Sequence, residues 1–333
     1  MAARNIDILG IGNAIVDVIA TADDDFLLRE DLQKGGMTLI DESRAHQLYA
    51  AMGPGTVISG GSAANTIVGV ASFGLSAAFI GKVKADETGG AFTHDIRAMK
   101  VQFETPHATE GAATARCLIF VTPDGERTMN TYLGACQNLT SADVDEDSVK
   151  AARITYLEGY LWDPPEAKKA FVKAAAVAHA AGNRVALTLS DSFCVDRYRA
   201  EFLDLIRSKT VDIVFANQHE LRALYETSDF DSAVAALREE GILAAVTRSE
   251  QGSLVVTRGE THAVPACPID KLVDTTGAGD LYAAGFLSGL ARGASLPDCA
   301  RLGALAASEI IQHYGARPVA QLSDLASQNG ISY

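Results

Sequence analysis

Short apolar segments alternate with amphipathic ones over the second half of the chain, and this pattern constrains the fold more than any other feature. The apolar segments occupy residues 154–157, 185–189, 211–215 and 243–246, and an amphipathic stretch over 165–181 follows the first of them. Strands that are apolar at successive positions are typical of a parallel sheet covered on both faces. The alternation therefore predicts an α/β fold with a mostly parallel central sheet between helices.

The first half of the chain adds further β structure. Residues 6–19 are β-branched and apolar around a pair of glycines, which predicts two strands with a tight connection. Residues 115–121 and 127–133 flank a Pro-Asp-Gly turn at 123–125, which predicts a hairpin. Because no repeat, low-complexity tract or linker divides the sequence, we expect residues 1–333 to form a single domain.

The charge of the chain limits the partners that it can bind. The 333 residues include 28 basic and 42 acidic side chains, which gives a net charge of −14. Proteins that bind nucleic acid present basic surfaces to the phosphate backbone, so we expect no nucleic-acid partner. Residues 47–81 carry no charge, but Pro54, Asn65 and several glycines interrupt them, so we expect no membrane span.

Cysteine usage and the amino-terminal residues indicate the compartment. The five cysteines are widely separated and form no C-x-x-C pair, which is typical of reduced cytosolic thiols rather than a disulfide framework or a zinc site. Asp7 interrupts the segment that would be apolar in an export signal. We therefore expect a cytoplasmic protein.

The strongest functional signal is the run D-T-T-G-A-G-D at residues 274–280. Apolar residues recur at helical spacing directly after it, so a helix begins at the glycines. The free N–H groups and the dipole of such a helix terminus bind an anion, for example a phosphoryl group. Asp280 would repel that anion, but it is well placed to take a proton from a hydroxyl that attacks phosphorus. The simpler interpretation is that Asp280 caps the helix and that the glycines only allow close packing.

A second turn that contains glycines, S-G-G-S-A-A-N at residues 59–65, also precedes a helical pattern. Its glycines allow a small polar ligand to approach the backbone. The amide of Asn65 can both donate hydrogen bonds to a diol and accept them from it. The alternative is an ordinary turn with a helix N-cap.

These two motifs, in this order and far apart, resemble the two signatures of the ribokinase-like (pfkB-type) carbohydrate and nucleoside kinases. The resemblance extends to N-Q-H-E at residues 217–220, which looks like the N-x-x-E motif of the family. It implies a ribokinase-like three-layer domain with a small β lid, which we expect from segments at about 14–42 and 104–136. Such a lid would exclude water from the site.

The resemblance also implies an acceptor pocket made of seven residues: Asn13, Asp17, Gly61, Asn65, Leu133, Ala135 and Phe193. Asp17, Gly61 and Asn65 would hold the hydroxyls of a ribose. Asn13 would lie close to the nucleoside, and the remaining three residues would supply apolar contacts near the base.

On the phosphate side the resemblance implies roles for Arg127, Asn217, Glu220, Thr247, Gly252, Gly277, Ala278, Gly279 and Asp280. Asp280 would be the general base, and the amides of residues 277–279 would stabilise charge on the moving phosphoryl group. Arg127 would approach the phosphates. Asn217 and Glu220 would organise Mg²⁺, with Glu220 acting through water. Of the family motif T-x-G-x-x-G only Thr247 and Gly252 are carried over, because Ser249 stands at its first glycine position.

Several segments, among them residues 10–17 and 131–136, are more similar to adenosine kinases than to ribokinases or fructokinases. The resemblance therefore implies ATP-dependent phosphorylation of the 5′-hydroxyl of adenosine, with Mg²⁺ as cofactor. A monovalent cation near the Asp274 loop is left open, as is the oligomeric state. The alternatives are the same chemistry on ribose, another sugar or another purine nucleoside, and a nucleoside sensor without turnover.

Overall fold

Strands and helices alternate along the chain in a computed structural model that describes residues 5–331 and residue 333. The strands, in chain order, are β1 (Ile6–Ile11), β2 (Ile15–Thr21), β3 (Met37–Leu39), β4 (Gly55–Gly60), β5 (Ala77–Ile80), β6 (Val101–Gln102), β7 (Ala115–Val121), β8 (Arg127–Tyr132), β9 (Ala152–Glu158), β10 (Arg184–Thr188), β11 (Ile213–Asn217), β12 (Leu243–Thr247), β13 (Ser253–Val256) and β14 (Thr261–Val264).

The helices are α1 (Asp24–Arg29), α2 (Glu42–Ala51), α3 (Ser62–Ser72), α4 (Glu87–Ala98), α5 (Glu146–Ala151), α6 (Pro165–Ala180), α7 (Ser192–Arg207), α8 (Gln218–Leu224), α9 (Phe230–Glu240), α10 (Ala278–Arg292), α11 (Leu296–Ile310) and α12 (Leu322–Gln328). No helix among the described residues is long and apolar enough to cross a membrane.

Much of the negative charge of the chain lies at the amino ends of these helices. An aspartate side chain at the N-cap accepts a hydrogen bond from a first-turn amide at Asp23, Asp41, Asp86, Asp191 and Asp229. Each of these carboxylates satisfies a backbone N–H that has no partner within the helix and lies at the positive end of the helix dipole. The acidic composition therefore stabilises helix termini.

The central sheet has nine strands in the order β14-β13-β12-β11-β10-β9-β1-β5-β6. The strands from β12 to β6 are parallel, and β13 and β14 add an antiparallel edge. The four apolar segments predicted as strands form β9 to β12. The prediction of a mostly parallel sheet is therefore confirmed.

Helices cover both faces of this sheet. Within a strand, successive residues point to opposite faces, so Ile8 joins a core formed with α3, α10 and α11, while Leu9 joins a second core formed with α6 and α7. Tyr156 and Leu157 divide between the two cores in the same way. The strands β1 and β9 to β12 therefore contribute to both cores, which explains why these segments are apolar at successive positions.

A second, five-stranded sheet has the order β3-β8-β7-β2-β4. The predicted hairpin forms β7 and β8, with Val121 paired to Arg127 across the turn. The segments at about 14–42 and 104–136 contain four of the five strands, but β4 lies outside both. The sheet thus draws on a third segment of the chain, one that continues directly into the glycine-containing turn at 59–65.

The two faces of the second sheet differ in chemistry. One face carries Val18, Leu118 and Phe120, which pack with Phe26 and Leu48 from the helices that cover this face. The opposite face carries Asp17 beside Cys117 and Thr131, with Arg127 at the end of β8. A sheet that is apolar on one side and polar on the other can close over a polar ligand while it keeps its own core.

Helices α10 and α11 approach each other so closely that only glycine fits at their contact. A Cβ atom on Gly285 would lie 2.3 Å from the carbonyl oxygen of Leu302 and 2.7 Å from the amide nitrogen of Gly303. Both neighbours are backbone atoms, so a side chain on Gly285 would force the helices apart.

We expect Gly285→Ala to destabilise the protein by about 1–3 kcal/mol, because overpacking outweighs the gain of about 1 kcal/mol in helix propensity. The matched control is Gly90→Ala in α4, where nothing lies within 4 Å of the new Cβ. That substitution should stabilise the protein by up to about 1 kcal/mol. Urea unfolding of both variants measures the effect, and equal stability of the Gly285→Ala variant and the parent would contradict this account.

Candidate active site

Polar residues cluster where the parallel strands of the central sheet end. Asn13 follows β1, Glu158 ends β9, Asn217 ends β11 and Thr247 ends β12. From β1 the sheet continues to β5 on one side and to β9 on the other, so the winding of the chain reverses between β1 and β9. Crevices at such points, outside the carboxyl ends of the strands, are where α/β sheets bind ligands.

Glu158 connects three elements at this point. Its Oε1 accepts a hydrogen bond from Nδ2 of Asn13 at 2.7 Å, and its Oε2 accepts one from the amide of Ala63 in α3 at 2.8 Å. The side chain is 1% exposed, and this burial raises the pKa of Glu158 to about 7 despite the hydrogen bonds that favour its charged form. The amide group of Asn13 is therefore held at a fixed position.

The turn before α3 requires both of its glycines. Gly61 has φ of +97°, and a Cβ there would lie 2.1 Å from the carbonyl oxygen of Asn13. A Cβ on Gly60 would lie 2.4 Å from Oδ2 of Asp17. The missing side chains thus let Asn13, Asp17 and the turn come together.

Asp280 lies in the first turn of α10 and faces the same turn. Its Oδ1 accepts a hydrogen bond from Oγ of Ser62 at 2.6 Å, and its Oδ2 accepts one from Nδ2 of Asn65 at 3.0 Å. Desolvation raises the pKa of Asp280 to about 6, although these two hydrogen bonds and the nearby charge of Arg317 lower it. Above this pH the carboxylate is ionised and able to accept a proton.

The amide oxygen of Asn65 is buried and has no hydrogen-bond partner among the described residues. Since Nδ2 of the same side chain is fixed by Asp280, this oxygen faces the site as an acceptor. A buried polar atom without a partner is costly, so it indicates a position that a ligand hydroxyl would fill.

The helix terminus at residues 277–279 has the geometry of an anion site. Gly277 is the N-cap of α10 with φ of +79°, and the predicted helix runs from Ala278 to Arg292. The amide of Ala278 donates to the carbonyl of Thr275 at 3.2 Å. The amides of Gly277 and Gly279 have no such partner among the described residues, so these two remain available to an anion.

Arg127 reaches the loop before this helix from the second sheet. The side chain is 8% exposed and forms an ion pair with Asp274 through Nη1. Asp274 also accepts hydrogen bonds from the amides of Thr276 at 3.0 Å and Gly315 at 3.1 Å. Burial alone would raise the pKa of Asp274, but these hydrogen bonds and the charge of Arg127 outweigh it and lower the pKa.

Asn217 and Glu220 form a capping box at the start of α8. Oε1 and Oε2 of Glu220 accept from Nδ2 and the amide of Asn217 at 2.6 and 2.9 Å, and Oδ1 of Asn217 accepts from two first-turn amides. Glu220 is 5% exposed, although the sequence alone would favour a solvated side chain at this helix position. Burial, with a smaller effect of the Asp191 charge, raises the pKa of Glu220 to about 7.

Thr247 and Gly252 lie beside this capping box. Thr247 pairs with Asn217 in the register of β11 and β12. Gly252 has φ of +80°, and a Cβ there would lie 2.1 Å from the carbonyl oxygen of Val264. Ser249, which stands at a glycine position of the family motif, has φ of +51°. The turn therefore keeps a left-handed residue at this position although the glycine is absent.

The three apolar residues expected near a base lie in different surroundings. Ala135 is fully buried, Leu133 is partly buried, and Phe193 is 78% exposed at the start of α7. Cys136 lies close enough to Glu158 for that carboxylate, together with burial, to raise the pKa of the thiol. The segment that includes Leu133 and Ala135 therefore borders the Asn13 side of the site.

Comparison with known proteins agrees with this architecture. The sequence profile of the pfkB family of carbohydrate kinases matches residues 41–322. A crystal structure of adenosine kinase from Sinorhizobium meliloti is 56% identical and superposes with a TM-score of 0.91, over 98% of this chain and 99% of that one. A structure described as a probable sugar kinase protein from Rhizobium etli CFN 42 is 52% identical, with a TM-score of 0.93 over 99% and 100% of the two chains. Adenosine kinase 2 of Arabidopsis thaliana is 28% identical over 92% of this chain and 94% of its own length.

The chain belongs to the pfkB family. Membership confirms the ribokinase-like fold and makes the protein a phosphotransferase that uses an alcohol group as acceptor. It acts as a kinase of nucleosides or sugars, and ATP is the phosphate donor that the family implies.

Two charged residues of this pfkB site were missed by the sequence analysis. Glu158 ends a strand whose preceding four residues are all buried, and a carboxylate at that position was a signal that could have been noticed. Arg317 lies in the loop after α11, where no motif marks it. Its guanidinium donates to the carbonyls of Ser59 and Ala64 on either side of the glycine-containing turn.

The positive φ of Ser249 leads to a stability prediction. A residue with a Cβ in the left-handed region is strained by roughly 1 kcal/mol, and glycine is not. We expect Ser249→Gly to raise the free energy of unfolding by up to about 1 kcal/mol, less the extra chain entropy of glycine in the unfolded state. Ser249→Ala is the matched control, since it removes the same hydroxyl and keeps the Cβ. Urea unfolding in which the two variants behave alike would contradict the proposed strain.

Proposed function

We propose that this protein transfers the γ-phosphoryl group of ATP to the 5′-hydroxyl of adenosine and so forms AMP and ADP. The observation that carries the proposal is the position of Asp280. Its carboxylate lies at the amino end of α10 and is held by Ser62 and Asn65 of the glycine-containing turn. A group that can take a proton from a hydroxyl therefore lies between an anion site and a site suited to a diol.

Asp280 acts as the general base. With a pKa of about 6 it is mostly ionised at neutral pH, yet it is basic enough to accept the proton as the hydroxyl oxygen attacks phosphorus. The hydrogen bonds from Ser62 and Asn65 orient its two oxygens. The amides of Gly277 and Gly279, aided by the dipole of α10, stabilise negative charge on the phosphoryl group as it moves.

Arg127 supplies a second positive charge at the phosphates. Its partner Asp274 lies three residues before the N-cap of α10, so a short movement of the guanidinium brings it to the anion site. Nε of Arg127 is buried and without a partner among the described residues, which leaves a donor for a phosphate oxygen.

The residues around Glu220 fit Mg²⁺ held mainly by phosphates and water. No group of three or more metal-ligating side chains occurs among the described residues, and Mg²⁺ commonly binds through one or two carboxylates together with phosphates. Each oxygen of Glu220 accepts one hydrogen bond from Asn217 and keeps a free lone pair for a water molecule. When bound, Mg²⁺ neutralises charge on the β- and γ-phosphates.

Adenosine is the acceptor that the site favours. Asp17 on the second sheet, Asn13 and the buried oxygen of Asn65 surround the turn at Gly61 and can hold the hydroxyls of a ribose. Leu133 and the exposed ring of Phe193 are apolar surfaces that we expect to contact the base. The Sinorhizobium meliloti protein, 56% identical, is described as an adenosine kinase, which supports the same acceptor.

The second candidate is phosphorylation of a free sugar by the same residues. It is favoured by the Rhizobium etli protein, 52% identical, which is described as a probable sugar kinase protein. A panel of nucleosides and sugars, each supplied with Mg-ATP and followed by ADP release, separates the two. Adenosine should be the best acceptor, and a free sugar that exceeds every nucleoside would overturn the adenosine assignment but leave the kinase assignment intact.

The first prediction from this mechanism concerns Asp280→Asn. The amide cannot take the proton, so turnover should fall by roughly 10²- to 10⁴-fold while adenosine affinity stays close to that of the parent. In the parent, kcat/KM should rise with pH through about 6, since the ionised carboxylate is the active form. The matched control is Asp231→Asn, an exposed aspartate in the first turn of α9. A folded Asp280→Asn variant with the turnover of the parent would disprove the proposed base.

The second prediction concerns the role of Asp17 in recognising the diol. If its carboxylate accepts from both ribose hydroxyls, loss of one hydroxyl costs roughly 1–3 kcal/mol. Adenosine should then be used about ten- to a hundredfold more efficiently than 2′-deoxyadenosine. Asp17→Ala should shrink this ratio of kcat/KM values toward one. An unchanged ratio would instead make Asp17 a structural residue of β2.

A further inference from the structure

Arg317 makes four hydrogen bonds to the turn that carries the diol site. Nε and Nη2 donate to the carbonyl of Ser59 at 3.0 and 2.7 Å, Nη2 also donates to Oγ of Ser59 at 2.9 Å, and Nη1 donates to the carbonyl of Ala64 at 2.8 Å. Ser59 immediately precedes the two glycines, and Ala64 lies just before Asn65. The planar guanidinium therefore bridges both ends of the turn.

A second residue holds this turn from the other side. Asp95 in α4 accepts hydrogen bonds from the amide of Ser59 at 2.8 Å and from its hydroxyl. Ser59 is therefore fixed between a cation and an anion, neither of which touches the expected substrate position. Glycines give the turn its shape, but they supply no side chain to hold it, so its rigidity must come from such external contacts.

The charge of Arg317 also acts on the two carboxylates of the site. Asp280 is faced by Ser62 and Asn65 of α3, by Arg317, and by the ionisable groups Asp17, Glu158, Tyr156 and Tyr160. Asp17 is faced by Arg317, Arg127, Cys117 and Asp280. Arg317 is thus the cation shared by both aspartates, whose charges repel each other. It lowers the pKa of each against the effect of burial.

We propose that Arg317 is a positioning residue of the phosphotransfer reaction, which holds the turn at residues 59–65 through its bonds to Ser59 and Ala64 and supplies a positive charge near Asp17 and Asp280. The proposal rests on the proposed function, in which Asp17 holds the acceptor and Asp280 takes its proton. Arg317 does not touch the reacting atoms. Its two effects are separable, because a lysine keeps the charge and loses the planar fork.

The test compares Arg317→Met and Arg317→Lys with the control Arg301→Met. Arg301 is an exposed arginine of α11 whose one ion-pair partner among the described residues is Asp298, one turn earlier on the same helix, at 2.9 Å. The pH profile of kcat/KM for adenosine is measured for each variant. Removal of a nearby opposite charge should move the acidic limb of the Arg317→Met profile up by about one pH unit or more. At pH 6 the kcat/KM of Arg317→Met should then lie about tenfold below the alkaline plateau of the same variant.

Arg317→Lys should keep the acidic limb within a few tenths of a pH unit of the parent and lose rate about equally at all pH values, because the turn is less well held. Arg301→Met should match the parent throughout. An acidic limb of Arg317→Met that coincides with that of the parent, with unchanged kcat, would overturn the proposal. So would failure of both Arg317 variants to fold at neutral pH, since Arg317 would then serve overall stability.

Amide hydrogen exchange separates this proposal from the proposed function. Exchange at residues 59–65 should accelerate at least tenfold in Arg317→Met and stay unchanged in Arg301→Met, whether or not the protein phosphorylates adenosine. If the parent uses no acceptor of the panel but this exchange pattern appears, the proposed function fails and the positioning of the turn stands. If adenosine is phosphorylated and the exchange of these amides does not change, the role of Arg317 fails and the function stands.

Discussion

The site depends on one contact, between the amino ends of α3 and α10. Asp280 of α10 accepts hydrogen bonds from Ser62 and Asn65 of α3. Further along, a Cβ on Gly69 would lie only 2.6 Å from the Cβ of Ala284, so the two helices lie side by side with their first turns together. Because a positive dipole end occurs at both termini and free amides remain at α10, a candidate anion site and a candidate site for hydroxyls become neighbours. The carboxylate that joins the helices is also the proposed general base.

This arrangement places several acidic groups together away from bulk water, at a cost in free energy. Burial raises the pKa of Asp17, Asp280 and Glu158, which means that the protein disfavours their charged forms. Amide and hydroxyl donors, and the charges of Arg127 and Arg317, offset part of that cost. The net charge of −14 therefore does not predict the charge of the site, where Arg127 and Arg317 supply local positive charge. A base with a pKa near 6 is a consequence of this incomplete compensation.

The sequence predicted those parts of the molecule that depend on local pattern. The strands β9 to β12, the hairpin of β7 and β8, and the helix after Gly277 each follow from apolar periodicity or turn chemistry within a dozen residues. The capping box at Asn217 was also readable, since an asparagine three residues before a glutamate is the pattern of a helix start. The burial of this capping box could not be predicted, because it depends on how α8 packs against other elements and not on the residues of α8 alone.

What the sequence could not give are contacts between distant segments. Arg317 meets Ser59 across more than 250 positions, and no spacing rule connects a lone arginine after a helix to a glycine-containing turn. The place of β4 in the second sheet escaped prediction for a related reason. Residues 55–58 are exposed or half-buried, and only Ser59 and Gly60 are buried. Their apolar pattern is therefore too weak to show that they pair with β2.

The division of the site between two sheets explains why family membership fixes the chemistry more firmly than the acceptor. The groups expected to act on the phosphoryl transfer, apart from Arg127, lie at the ends of central strands and in the first turns of α8 and α10. A shift of a strand there would disturb both cores, and a Cβ on Gly285 would disturb the core formed with α3, α10 and α11. Those groups therefore cannot change position without disturbing the fold. Asp17 lies instead on the second sheet, whose polar face packs against no core. Asp17 is therefore held by contacts outside both cores, and proteins that share one phosphotransfer machinery can differ there in the hydroxyl compound that they accept.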